Sequence, residues 1–374
     1  MKSKLLFVLV LFIVGFNSCT KSINNSNNTG WSELGGTNNS TFNGIISSVT
    51  SDKLGNIYAG GNFTNSLGFT YIAKWDGNNW SELGGLNSSK FVNSVTSMIT
   101  DTYGNLYVAG CATNTSGKSY IAKWDGTNWS ELGASSDSII NGKIYTITID
   151  KNGNIYVAGN LVNAQGNWYV AKWNGNNWIQ IDGIKSYSTF FNQINCIATD
   201  PNGSVYVGGT LTDASNNLYI TKWNGTSWVN IVKATDLLAK AAIINTIISD
   251  ASGNIYTDCE MRNSARQFVT KWDGTNWNEL GSSSDSIIKG EIITMFSELA
   301  GNIYLSGYYI SGNINRGGYS LNKWDGINWS YVDDNHTYYF NDNISSITNS
   351  QGNIYVAGRF KNVNGKYFVA KHIY

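Results

Sequence analysis

Seven times along this chain the string Gly-Asn-Ile-Tyr, or a close variant, recurs, starting at Gly55, Gly104, Gly153, Gly203, Gly253, Gly301 and Gly352. The intervals are 49, 49, 50, 50, 48 and 51 residues. A second string, Lys-Trp-Asp/Asn-Gly-x-x-Trp, starts at Lys74, Lys123, Lys172, Lys222, Lys271 and Lys323. A period of this length belongs to chains built from supersecondary units that bury their apolar faces only against one another. Seven such units take up the 374-residue chain after its first 29 residues and leave no room for a second domain.

Each unit reads as four short strands. In the first they are expected over Ile45–Ser51, Asn56–Asn62, Tyr71–Trp75 and Trp80–Leu83, all aromatic or β-branched and bounded by Gly, Asn or Asp. Asp52, Asp101, Asp150, Asp200 and Asp250 open the turn before the Gly-Asn pair. Asp caps nearby backbone N–H groups there, and Gly supplies a left-handed residue. The Asp-x-x-Gly-Asn string looks like a calcium loop, but it lacks further carboxylates at the spacing a hard cation requires. Asp76-Gly77-Asn78-Asn79 forms a second tight turn between antiparallel strands.

The two ends choose between an open stack and a ring. Tyr367–Tyr374 is the third strand of unit seven, with His372 where other units carry Trp, and the missing fourth strand lies at Trp31–Leu34. An N-terminal strand that completes the last unit closes a ring and protects sheet edges. The expected fold is all-β: a seven-bladed β-propeller of four-stranded blades over residues 30–374, closed by its N-terminal strand.

Composition agrees and excludes some functions. Charged residues are 13% of the chain, about half the usual share of roughly 25%. Trp (14), Tyr (22) and Gly (40) abound against a single proline, Pro201, which suits short strands and tight turns. With 25 basic and 25 acidic residues and no basic run, nucleic acid has no electrostatic hold on this chain.

Residues 1–18 read as a lipoprotein signal peptide. Two lysines precede Leu5–Phe16, twelve residues that are apolar or glycine, too short for a transmembrane helix of about 20 residues. Phe16-Asn17-Ser18-Cys19 resembles the lipobox of bacterial lipoproteins, with Phe16 where Leu is usual. The resemblance implies a lipidated Cys19 and an address in the bacterial cell envelope, on the outer membrane. Residues 19–29 are then the lipidated Cys and a polar tether averaging roughly 18 Å end to end. Cys111, Cys196 and Cys259 are an odd number, widely spaced, with no nearby Cys or His at metal-site spacing, so free thiols and no metal or other cofactor are expected.

Gly60-Gly61 after the second strand, followed by Tyr71 and Trp75, resembles the kelch repeat of galactose-oxidase-like propellers. The Trp-Ser-Glu-Leu-Gly, Tyr-Val-Ala-Gly and Ala-Lys-Trp-Asp-Gly cycle looks like the repeats of bacterial exported propellers and fungal cortical polarity markers. Kelch-like propellers include both enzymes and binding scaffolds, so the resemblance implies a fold and not an activity. The copper chemistry of galactose oxidase needs histidines, and His336 and His372 are the only two here.

Residues that recur in every blade are read as serving the blade. Pairs such as Trp75 and Trp80 pack blades together, and Lys74, Lys123 and Lys172 are expected to pair with strand-four acids such as Glu82 and Glu131. Departures from the repeat point to function. The 1–2 and 3–4 turns are alike in all blades, whereas the 2–3 and 4–1 loops vary, so binding is expected on the face carrying the latter. All four arginines, Arg262, Arg266, Arg316 and Arg359, fall on the 2–3 loops of blades five to seven. Nearby loops add Tyr308, Tyr309, His336, Tyr338, Tyr339 and Phe340, and blade five reads Asp258-Cys259-Glu260 where others read Ala-Gly-Asn. Arginine forks on carboxylate, sulfate or phosphate, so these residues form a candidate anion-tolerant, aromatic-lined binding patch. Neutralisation of Asp258 and Glu260 by Arg262 and Arg266 is the plainer reading of the blade-five pair.

No nucleophile motif such as G-x-S-x-G is present, and no catalytic residue is assigned. The expected function is a lipid-anchored, monomeric binding scaffold that engages a glycan or a protein through the variable face. The alternative is a polysaccharide-processing glycosidase or lyase using Asp258, Glu260, Asp333 and Asp334.

Overall fold

A computed structural model describes residues 30–36, 42–84, 94–110, 119–133, 139–184, 193–262, 267–281, 290–310, 317–332 and 340–373. They form seven antiparallel β-sheets arranged as a seven-bladed propeller. Blade one runs Ile46–Ser51, Ile57–Gly61, Ala73–Trp75 and Trp80–Glu82, each strand paired to the next in chain order. Blades two to six repeat this meander. Blade seven comprises Ile344–Ser350, Asn353–Gly358 and Ala370–His372, and its fourth strand is Trp31–Glu33, with Trp31 opposite His372 and Glu33 opposite Ala370. Blade seven then packs on blade one: the Val49 N–H donates to Ser346 Oγ at 3.0 Å, and Tyr355 and Ala357 share a core with Phe42, Ile46 and Val49. The only helix among the described residues is a 3-10 turn at Leu237–Lys240.

Two recurring devices hold the ring. Asp52 accepts from the N–H of Leu54 and Asn56, from Asn56 Nδ2 and from the Tyr58 hydroxyl, at 2.7–3.0 Å. Asp150 and Asp250 repeat all four bonds. Turn chemistry therefore accounts for the recurring Asp. Burial, and then the facing carboxylate, hold the Tyr58 hydroxyl well above its ordinary pKa. Between blades, the strand-four indole N–H reaches a backbone carbonyl of the preceding blade. Trp80 donates to Leu34, Trp129 to Leu83, Trp178 to Leu132 and Trp277 to Ile231, at 2.7–3.1 Å. Each such bond contributes about 1 kcal/mol net, repeated around the ring.

The expected lysine–glutamate pairs do not form. In the blade-one hairpin Lys74 lies opposite Ser81 and Glu82 opposite Ala73, so the two charges point to opposite sides of the sheet. Lys74 instead sits over the Tyr58 ring, and Lys123, Lys172, Lys222 and Lys271 sit over the equivalent tyrosines, at 5.2–6.0 Å.

Blade five departs from the others for a steric reason. At the end of strand two, a Cβ on Gly61, Gly110, Gly159, Gly209 or Gly358 would lie 1.9–2.4 Å from a backbone oxygen of the bulged first strand. Blade five has Cys259 at that position, and its first strand is split into Ala241–Ile243 and Ile247–Ser249. The neighbouring Asp258 carboxylate takes up the N–H groups of Asn245 and Thr246, both at 2.9 Å, and Asn245 Nδ2 at 3.1 Å. Asp258 is fully buried, and desolvation pushes its pKa up to about 7 against the pull of those three donors.

Candidate functional site

Because the strands alternate in direction, the 1–2 and 3–4 turns share one face of the ring, and the 2–3 and 4–1 loops share the other. On the second face, four of the described 2–3 loops are alike. In blades one, three, four and seven the 2–3 loop is one repeated turn, closed by Asn65, Asn163, Asp213 and Asn362, each accepting two backbone N–H bonds on its side-chain oxygen. Asn65, Asn163 and Asn362 also donate their side-chain amides to Glu82, Asp182 and Glu33 of strand four.

Among the described residues, the departures from this turn on the same face are in blades five and six. Strands two and three pair over three residues in blade one, six in blade five and eight in blade six. Five additional pairs carry the blade-six ladder roughly 17 Å further, at about 3.4 Å per residue. Along that extension Glu291, Tyr308 and Tyr319 lie directly opposite one another on three adjacent strands. The Tyr308 and Tyr319 rings meet edge-on, 5.2 Å apart, and Tyr319 bridges to Phe340 at the entry to blade seven.

Arg359 and Asp342 of blade seven adjoin this row. Their ion pair is loose, at 3.8 Å from Nε to Oδ1, with the side chains 55% and 42% exposed. The Tyr319 hydroxyl is raised above its ordinary pKa by desolvation, then by the charges of Asp342 and Glu291, while Arg359 pulls the other way. Tyr319 thus lies within the field of this pair. Exposed pairs of this kind contribute at most about 1 kcal/mol, so Arg359 can exchange its partner for a ligand at little cost. A guanidinium fork paired with the Asp342 carboxylate and near the Tyr319 ring offers a stacking face together with donors and acceptors.

Arg262 belongs to another place. Its Nε donates to the Ala241 carbonyl at 2.9 Å, and it borders a cavity of about 380 Å³ between blades four and five, with Lys240, Asn216 and Asn217. The acid it faces is Asp213. Partial desolvation raises that carboxyl, but Asn217, the backbone of Ser215 and the Arg262 charge leave it below its ordinary value. The expected neutralisation of Asp258 by Arg262 is therefore not what the side chains do. Nor does Asp258 fit a catalytic role, since its carboxylate is buried and bound to backbone within its own blade. Tyr308 meets Tyr319, whose hydroxyl lies in the field of Arg359, whereas Arg262 stands apart. Arg266, Arg316, His336, Tyr338, Tyr339, Asp333, Asp334, Cys19 and Cys111 lie outside the described residues, and only the backbone of Tyr309 is described. Cys196 and Cys259 are buried.

Sequence reasoning missed Tyr319, Glu291 and Asp342. It also missed a hollow of about 790 Å³ on the tight-turn face, lined by the ends of the innermost strands and the 1–2 turns of blades one, two, three and seven, with Leu299 of blade six. One signal was available. Blade seven lacks the turn Asp and closes on a two-residue turn, Gln351 and Gly352, both at positive φ.

One family, SBBP, described as a beta-propeller repeat, matches residues 130–160. No curated protein matches the chain. Among solved structures it is similar to a chain of the mitotic checkpoint complex, at 11% identity and a TM-score of 0.58, over 99% of this chain and 100% of that one. It also matches PorZ, a bacterial surface component of the type-IX secretion system of Porphyromonas gingivalis, at 13% identity and a TM-score of 0.44, over 84% of this chain and 53% of that one. A third match is Aleuria aurantia lectin in complex with Fucalpha1-6GlcNAc, at 14% identity and a TM-score of 0.43, over 76% and 93% of the two chains. The first of these is a likeness of fold.

Proposed function

We propose that this protein is an exported, lipid-anchored binding scaffold of kelch-like type, held in the bacterial cell envelope through Cys19. It engages a glycan or a protein through the face of the 2–3 and 4–1 loops. The observation that carries this reading is the surface at blades six and seven, where the extended ladder pairs Tyr308 with Tyr319 and Tyr319 lies in the field of the exposed Arg359–Asp342 pair. Tyrosine supplies a large stacking area at low entropic cost, and an exposed fork supplies hydrogen bonds that need no rearrangement of the fold. The test is retention of the chain beginning at Thr20 on a panel of immobilised polysaccharides and envelope proteins, with an assay for new reducing ends. Retention without cleavage, lost in Arg359→Ala and Tyr319→Ala, supports the scaffold. Cleavage of a retained polysaccharide, or ligands held equally well by both variants, refutes it.

A further inference from the structure

The closing strand of the ring fixes where the chain enters it. Trp31 pairs with His372, and Ile373 N donates to the Gly30 carbonyl, at the end of blade seven where blades one to six place their 3–4 turn. Residue 30 is therefore on the tight-turn face. Four of the most exposed large apolar side chains are there too: Leu54 (82%), Tyr103 (91%) and Leu299 (90%) on the 1–2 turns of blades one, two and six, and Ile327 (78%) on the 3–4 turn of blade six. Nothing in the blade requires them, because blades three, four and five carry Asn152, Asn202 and Ser252 at the tip that holds Leu54 and Tyr103. The exposed Lys53 and Lys151 on this face are offset by exposed carboxylates at Asp76, Asp125, Asp273 and Asp325, so it is apolar at its tips without being cationic.

We propose that the tight-turn face rests on the lipid bilayer, its four apolar tips seated in the interface, and that the surface carrying Tyr308, Tyr319 and Arg359 consequently points away from the membrane. The proposal rests on the lipid anchor at Cys19 proposed above. Ten residues separate that anchor from Gly30, and a flexible tether of that length would average roughly 18 Å end to end. A six-residue inner strand is itself about 20 Å long. Turning the opposite face to the bilayer would therefore stretch the tether beyond its mean reach. Tethering also raises the effective concentration of the tips at the surface to about the millimolar range. Contacts too weak to recruit a free protein then suffice to set its orientation.

Every strand among the described residues lies at or beyond Trp31, so a chain starting at Thr20 keeps all of them. That chain, with Cys111→Ser and an N-terminal histidine tag in place of the lipid, is tethered to phosphatidylcholine vesicles containing nickel-chelating lipid. A polarity-sensitive dye is placed at Leu54→Cys or, on the other face, at Val363→Cys. The dye at position 54 is expected to shift to the blue and to be quenched by brominated lipid at least threefold more than the dye at 363. Tyr103→Ser with Leu299→Ser removes that difference, and about 0.5 M salt, which screens charge contacts, leaves it unchanged. Equal quenching at both positions, or quenching at neither, overturns the proposal. The anchor is tested separately by uptake of labelled fatty acid in cells: if Cys19→Ala labels as strongly as the natural chain, the anchor reading fails, whatever the vesicles show.

Discussion

Asp258 makes the stability of this propeller depend on pH in a direction opposite to that of a surface carboxylate. Its folded pKa is about 7, against an ordinary value of 3.8, because burial outweighs the three donors it accepts from. An acid whose pKa is raised on folding binds protons more tightly when folded, so its contribution is full below the unfolded pKa and is lost as pH rises through the folded one. At about 1.4 kcal/mol per pKa unit, integration from pH 8.5 down to 5.5 gives a gain on the order of 2 kcal/mol. With an unfolding entropy of roughly 2.1 cal/mol/K per residue over the ring, that is a rise in Tm of about 3 °C. The comparison is Asp258→Asn, which keeps an oxygen for the N–H groups of Asn245 and Thr246 but cannot ionise. Scanning calorimetry at pH 5.5, 7 and 8.5 should show wild type gaining on the variant as pH falls. The carboxylates held below their ordinary values, such as Asp76 and Asp125, lose their contribution only in more acidic solution. If wild type and Asp258→Asn change in parallel across this range, the account of blade five is wrong.

Other expectations are simpler. Gly159→Ala places a Cβ about 2.2 Å from the Lys143 carbonyl and 2.8 Å from the Tyr145 nitrogen, and should cost about 3 kcal/mol or more in urea unfolding; a loss under about 1 kcal/mol would remove the steric explanation for the split strand of blade five. Asp150→Ala leaves the N–H groups of Asn152 and Asn154 and the Tyr156 hydroxyl without their acceptor, with an expected loss of about 2–4 kcal/mol and a local rise in hydrogen exchange at that turn. Arg359→Ala should change Tm by no more than about 1 °C, given its exposed, loose pair, while abolishing ligand retention.

The fold was legible because each blade repeats the same local solution. Strand ends read from Gly, Asn and Asp agree with the observed ones to within one or two residues in blade one. The Lys74–Glu82 pairing went wrong for a reason that was itself readable. A tight turn that sets Trp75 against Trp80 must set Lys74 against Ser81, and alternation then sends Glu82 to the other side. The arginines were harder. Sharing a loop class places Arg262 and Arg359 on one face, but which neighbour each reaches depends on ladder length and on the local acids Asp213 and Asp342. Tyr319 and Glu291 stood out in no alignment of the repeats, because only the eight-residue ladder of blade six brings them into one row with Tyr308.

Departures from the repeat fall into two physical kinds, and the distinction bears on where function resides. Asp258 and Cys259 both break the pattern, yet each answers the other: the thiol displaces the first strand, and the carboxylate accepts the N–H groups that the displacement frees. Such a pair leaves the surface of the blade unchanged and can persist by maintaining the fold alone. Leu54, Tyr103 and Leu299 have no such counterpart and stand exposed at turn tips. Exposed aromatic and apolar side chains at turn tips bury little in the folded chain, and a loose ion pair adds little to stability. Burial in the folded chain therefore does not account for these three side chains, and the proposed bilayer contact would. The proposed binding residues Tyr308, Tyr319 and Arg359 fall on one face and these apolar tips on the other, the arrangement expected if the proposed anchor and the proposed binding surface lie at opposite faces.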